Sequence, residues 1–250
     1  MVPPPTHFLC IPLAGPRLAR GWAAFRAAVA DCGLPEEAVR PLGTLHLTLG
    51  VFSLREEGEV ERAKGILDGL KPGSLLAQLR EAASEPLSSH HECPPGSMPG
   101  GPNDPPPAGP VTVTFRGLQT MQKASKTSVV YTPPTDLDGS LHRLCEQLRQ
   151  PFLESGLMTD EARPQLLHLT LFNTVYVKKK KGGHGRRRLL VDATELLRRY
   201  EAFIWAEDLP VIKLAICRMG AKKVEGGDVD VDGDGDEAYE VEAETELERS

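Results

Sequence analysis

The tetrapeptide His-Leu-Thr-Leu occurs twice in this chain, at residues 46–49 and 168–171. In a β-strand, residues i and i+2 point to the same face. His46 therefore shares a face with Thr48 while Leu47 and Leu49 point the other way, and His168 and Thr170 stand in the same relation to Leu169 and Leu171. Each copy reads as a strand that anchors itself by two leucines and offers an imidazole and a hydroxyl on its opposite side. Two such strands in one chain are what a duplicated fold leaves behind.

The apolar spacing around the two copies supports duplication, because the same order of elements is read twice. In the first half there is a strand at 8–13, a helical face marked by Leu18, Trp22, Phe25 and Val29, and a strand at 45–54. A second helix follows on Val60, Ala63, Leu67 and Leu70, then a strand at 111–115. In the second half a strand at 128–132 is followed by a helical face of Leu141, Leu144, Leu148 and Phe152. A strand at 166–175, a helix at 196–203 and a strand at 211–217 complete it. Phe8 precedes His46 by 38 positions and Val129 precedes His168 by 39, so both histidines fall at the same point of the unit. This pattern predicts an α+β fold: one bilobal domain over residues 1–224, two sheets related by a pseudo-twofold axis, helices outside, and a central cleft across which the histidine strands face one another. Two stretches are expected to stay unstructured, the Pro-, Gly- and Ser-rich residues 84–110 and the acidic tail 225–250. Neither has the apolar periodicity needed to offset the entropy of ordering.

Composition narrows the class. With 250 residues, 40% of them hydrophobic, the chain can bury a substantial core. No apolar run approaches the roughly 20 residues that span a bilayer, and the opening Met1-Val-Pro-Pro-Pro lacks the charged and apolar regions of a signal peptide. The expectation is an intracellular protein, cytoplasmic or nuclear, with no membrane partner, monomeric, and able to stand within a longer polypeptide. The five cysteines, Cys10, Cys32, Cys93, Cys145 and Cys217, are scattered and suit reduced thiols rather than a disulfide framework. The net charge of -6 hides a division: residues 225–250 hold 12 acids and one base, leaving 28 bases against 23 acids, a net of +5, elsewhere. A basic body attracts phosphate-bearing ligands.

Cleaving a phosphodiester requires a base for the attacking oxygen, an acid for the departing one, and donors for the non-bridging oxygens. Two imidazoles and two threonine hydroxyls supply that set. A single His-x-Thr is ordinary on a half-buried strand, whereas two copies at matching places point to a site. Which histidine is acid and which is base is left open. No metal and no cofactor are expected, since neither tetrapeptide has a carboxylate or thiolate at strand or helical spacing from its histidine. His90-His-Glu-Cys93 lacks a matching second pair, and the calcium-loop-like Asp230-Val-Asp-Gly-Asp-Gly has Val241 where the twelfth position calls for Glu.

Paired His-x-Thr motifs in duplicated halves, with Phe8-Leu-Cys-Ile-Pro and Leu214-Ala-Ile-Cys-Arg-Met, resemble the two-histidine phosphoesterases, and most of all the 2′-5′ RNA ligase-like domain of A-kinase anchor proteins. The resemblance runs from residue 6 to about 220 outside the 84–110 stretch. It implies metal-independent hydrolysis of 2′,3′-cyclic phosphates or 2′-5′ linkages of an RNA or nucleotide ligand, with His46 and His168 catalytic and Thr48 and Thr170 binding phosphate. Further substrate contacts are expected from Tyr131, stacking on a base, from Lys123, and from Arg163, which with Pro164 is the nearby equivalent of the Lys-Pro that relatives often place immediately before the second motif, where this chain has Leu166-Leu167. Lys178 and Lys179 open a basic run able to steer an RNA backbone. The rival reading is a nucleotide- or RNA-binding module that uses the same cleft with little turnover.

Overall fold

The computed structural model describes residues 3–84, 111–136, 139–159, 164–177, 188–224 and 237–247. Strands β1 (His7–Pro12) and β2 (His46–Phe52) flank helix α1 (Pro16–Asp31), which buries Leu18, Phe25 and Val29 along one stripe. Helix α2 (Glu57–Gly69) opens on a reciprocal cap, in which the Glu56 carboxylate accepts from the Glu59 backbone N–H and the Glu59 carboxylate accepts from that of Glu56. Helix α3 (Pro72–Ser84) follows. Strands β3 (Thr112–Arg116), β4 (Gln119–Thr120), β5 (Val129–Thr132) and β6 (Pro134–Thr135) lead to α4 (Ser140–Glu154). Asp136 caps α4 by accepting from the backbone N–H of Leu141 at 3.3 Å and of His142 at 2.8 Å. Then come β7 (Leu169–Asn173), α5 (Thr194–Tyr200), β8 (Ile204–Pro210), β9 (Lys213–Arg218), β10 (Lys222–Lys223), β11 (Glu237–Ala238) and β12 (Val241–Glu246).

The duplication is written into the ladders. Along β1 and β2, Leu9 pairs with Gly50 and Cys10 with Thr48, so Leu49 has no residue opposite. Along β5 and β7, Val130 pairs with Phe172 and Tyr131 with Thr170, which leaves Leu171 in the same position. The bulge falls on the fourth residue of both tetrapeptides and bends both strands alike. The halves also exchange their last strands: β9, from the second half, pairs with β1, while β4, from the first, pairs with β5. Between these exchanged ends β3 and β8 pair with each other, in a separate sheet of order β6-β3-β8. Gly117 makes the bend between β3 and β4, where the chain passes from one sheet to the other. Its φ is +69°, and a Cβ there would lie 3.0 Å from the Glu201 carbonyl oxygen, so only glycine fits.

The two lobes meet differently from the face-to-face arrangement expected from the sequence. They join edge to edge through the pair Leu47 and Leu169, giving one seven-stranded sheet of order β12-β9-β1-β2-β7-β5-β4. Because both tetrapeptides turn their leucines to the same side, one core serves both lobes. Leu9, Ile11, Leu47 and Leu49 belong to the same cluster as Val130, Leu169, Leu171, Phe25, Phe152 and Trp205.

Within the tail expected to remain solvated, residues 237–247 are folded, so the body does not end at residue 224. Strand β12 adds to the edge of β9, and Leu247 is buried. The acids of residues 237–247 meet bases of the body: Glu244 lies 2.6 Å from Lys213, Glu240 lies 2.6 Å from Lys222, and Glu242 lies 3.6 Å from both Lys64 and His7. Charge that reads as a solvated run is here the complement of a basic surface. The Pro-, Gly- and Ser-rich stretch lies, beyond the end of α3 at Ser84, outside the described residues. Among the described residues no helix is long and apolar enough to cross a membrane.

Candidate active site

His46 is the first residue of β2 and His168 immediately precedes β7. The antiparallel pairing of Leu47 with Leu169 sets His46 beside Thr170 and Thr48 beside His168, all on the face opposite the leucines. Each imidazole is held in the same way. Nδ1–H of His46 donates to the Thr44 carbonyl at 2.7 Å, and Nδ1–H of His168 donates to the Leu166 carbonyl at 2.9 Å. A bond from Nδ1 to a carbonyl two residues back fixes the ring and leaves Nε2 as the basic atom. On His46 that atom accepts from the Thr48 hydroxyl at 3.1 Å.

The surroundings of the two rings differ. His46 lies between Phe8, whose ring centre is 4.8 Å away, and Tyr239, edge-on at 5.5 Å. Burial, with smaller contributions from the positive charges of Arg40 and His168, pushes the His46 imidazole down to about 4, against the opposing pull of the Thr44 carbonyl. Arg40 is itself only 6% exposed. Its guanidinium lies 3.7 Å from the centre of the Tyr176 ring and donates to the Tyr239 hydroxyl at 3.1 Å. Its backbone N–H donates to the Leu171 carbonyl at 2.8 Å, so the loop before the first tetrapeptide is tied to the bulge of the second. His168 rests against Tyr131, 5.3 Å between ring centres.

Beside these groups is a cavity of about 260 Å³, lined by Thr48, Gly50, Arg149, Thr159, Gln165 and His168 among others. Gln165 is fixed there by donating from Nε2 to the Leu49 carbonyl at 3.0 Å. Gly50, which lines the cavity, also makes room for Met158, a side chain only 3% exposed whose Sδ a Cβ at that position would strike. Gly50→Ala is expected to cost about 1–3 kcal/mol of stability by overpacking. Urea unfolding measures it, and a change below a few tenths would mean that Met158 swings aside freely.

Of the residues singled out in the sequence, the structure brings His46, Thr48, His168 and Thr170 together. Tyr131 has a different place from the one expected. It is 6% exposed, its hydroxyl donates to Gln119 Oε1 at 2.9 Å, and its ring backs His168, leaving no open face for a base. Lys123 is exposed on the turn before β5 and does not line the cavity. Arg163, Lys178 and Lys179 lie outside the described residues, as do His90 to Cys93. Sequence reasoning missed Arg40, Arg149, Gln165 and Tyr239. Only Arg149 carried a signal, as a cation one position beyond Leu148 on the buried face of α4. Cys10 and Cys217 are free thiols that share a hydrogen bond, Sγ to Sγ 3.8 Å.

Residues 5–228 match the family model of the AKAP7 2'5' RNA ligase-like domain. An uncharacterized protein of Schizosaccharomyces pombe is 31% identical over 112 residues, 44% of this chain and 50% of that protein, so the match spans about half of the relative's length. Among solved structures, TT0787 of Thermus thermophilus is similar over 97% of this chain and 98% of its own, with 18% identity and a TM-score of 0.47. E. coli LigT complexed with 3'-AMP is similar over 99% of this chain and 100% of its own, with 17% identity and a TM-score of 0.45.

Proposed function

Since the chain belongs to the AKAP7 2'5' RNA ligase-like domain family, we propose that it is a phosphoesterase acting on RNA or nucleotides, cleaving a 2′,3′-cyclic phosphate or a 2′-5′ linkage by two-histidine acid–base catalysis. The observation that carries this reading is the pair of imidazoles anchored through Nδ1 on adjoining strands, each set beside the other strand's threonine. A phosphoryl group seated among them meets two Nε2 atoms and two hydroxyls.

His46 is the base. Burial keeps it neutral at physiological pH, so its Nε2 takes the proton from the attacking water as the oxygen bonds to phosphorus. His168, the more open of the two, protonates the ribose oxygen as its bond to phosphorus breaks. Thr170 donates to a non-bridging oxygen, and Thr48 does so once its hydroxyl turns from His46 Nε2 to the phosphate, which frees that nitrogen to take the proton. Imidazole with a pKa of about 4 is a weak base, and this one observation favours the rival reading of a nucleotide-binding module with slow turnover. The phosphodiester's own negative charge opposes it, by raising the His46 pKa once substrate is bound.

The test is turnover in the presence of chelator, with RNA ending in a 2′,3′-cyclic phosphate, 2′-5′ linked oligoadenylate and a 3′-5′ linked control. Cleavage of either of the first two but not the control is expected. Tight binding without cleavage of any would overturn the enzymatic reading in favour of the binding module.

A further inference from the structure

Two residues that line the cavity beside the histidines, Arg149 and Gln165, each carry a polar atom that the phosphodiester chemistry does not use. Arg149 Nε and Gln165 Oε1 are both buried and have no hydrogen-bond partner among the described residues. Among the described residues no carboxylate pairs with Arg149 either. A native protein rarely leaves a buried donor unsatisfied, since the group loses water and gains nothing in return. A guanidinium in that position without a counter-charge is a receptor for an anion, and its planar fork of donors matches phosphate oxygens. Gln165 adds the complementary preference. Because its Nε2 donates to the Leu49 carbonyl, the amide orientation is fixed and Oε1 is left as an unpaired acceptor on a residue of the cavity wall. A phosphate dianion cannot satisfy that acceptor, but a ribose hydroxyl can.

The two unsatisfied atoms therefore ask for a sugar and a phosphate together. Thr48 and His168 line the same cavity, so whatever occupies it adjoins the reacting phosphoryl group. Its volume, about 260 Å³, is below the roughly 300–1,000 Å³ of sites for drug-sized ligands and suits a single nucleotide unit. Met121, Pro164 and Leu166 give that unit an apolar wall.

We propose that Arg149 and Gln165 form a subsite for a second phosphate carried by the nucleotide next to the scissile bond, with Arg149 pairing to that phosphate and Gln165 to its ribose. The preferred substrates are then phosphorylated nucleotides or oligonucleotides and not bare nucleoside cyclic phosphates. This inference rests on the phosphodiester reading above and adds a specificity determinant to it.

The experiment compares kcat/KM for an adenosine 2′,3′-cyclic phosphate with and without a 5′-phosphate, in the wild-type protein and in Arg149→Met and Arg149→Lys. The ratio is taken within each preparation, so any loss of folded protein cancels. In the wild type the 5′-phosphate is expected to raise kcat/KM about tenfold or more, the scale of a charge-assisted hydrogen bond. The ratio falls to about one in Arg149→Met and is intermediate in Arg149→Lys. An equal ratio in wild type and Arg149→Met overturns the subsite while leaving the phosphoesterase reading intact. Calorimetric binding of adenosine 3′,5′-bisphosphate against adenosine 3′-monophosphate separates the opposite case. If nothing is turned over yet the bisphosphate binds more tightly and loses that advantage in Arg149→Met, the subsite stands and the catalytic reading falls.

Discussion

Replacing either His46 or His168 by alanine is expected to lower kcat/KM on a cyclic phosphate or 2′-5′ linked substrate by about 10²–10⁴, the usual contribution of a positioned acid or base. The double replacement should cost little more than the worse single one, because base and acid act in one proton-transfer sequence and removing either stops the same step. Neither ring is part of the buried leucine face, which holds the strand through Leu47, Leu49, Leu169 and Leu171. Circular dichroism of both variants should therefore stay close to wild type; the urea midpoint should hold in His168→Ala and fall in His46→Ala, whose ring is packed between Phe8 and Tyr239. A single variant that retains activity within a few-fold would mean that the chemistry lies elsewhere.

Tyr239→Ala is expected to move the acid side of the pH profile. Tyr239 closes one side of the His46 ring, and burial is the main reason that this imidazole sits near 4 rather than its ordinary 6.5. In the wild type the acid limb of kcat/KM, which reports the free enzyme, should have its midpoint near pH 4. Opening the ring to water raises that midpoint toward 6.5. A complete shift makes the variant about thirtyfold less active at pH 5, where the wild-type imidazole is still mostly neutral. Stability follows the same linkage. Between pH 6.5 and 4 the unfolded chain binds a proton that the folded His46 refuses, so wild-type stability falls as pH drops through that window, and the slope flattens in Tyr239→Ala. Tyr239→Phe keeps the ring and should keep the wild-type limb, with the hydroxyl's hydrogen bonds to Arg40 and Tyr176 lost. A limb that stays near 4 in Tyr239→Ala would show that the C-terminal segment does not govern His46.

The site and the fold differ in how far they can be read from the chain. His46, Thr48, His168 and Thr170 were legible because a period of two and an exact repetition make a pattern that needs no tertiary information. The strand exchange was not, since nothing in residues 112–120 or 204–218 records which neighbour they will choose. Strand β8 was hidden by Glu207 and Asp208 in succession and by the left-handed turn of Asp208, at φ 50°, which breaks the alternation. Helix α3 was hidden by its opening Pro72-Gly73. Strand β12 was hidden by its acids, whose lysine partners lie in other elements. Arg149 and Gln165 become a pair only when α4 is laid against the segment leading to β7, and no local spacing foretells that.

The exchange of last strands bears on how the protein is made. Strand β1 lies between β2 and β9, with His7 opposite Arg218. As the chain emerges from a ribosome, β1 can find β2 early, but its other edge has to wait until β9, about 160 residues beyond β2, has been synthesised. At about 5–20 residues per second that is an interval of roughly 8–32 s during which the first lobe carries an open strand edge. Such an edge is a template for pairing with other chains. The nascent first lobe is thus the vulnerable species, and the later strand β9 is the one that seals it.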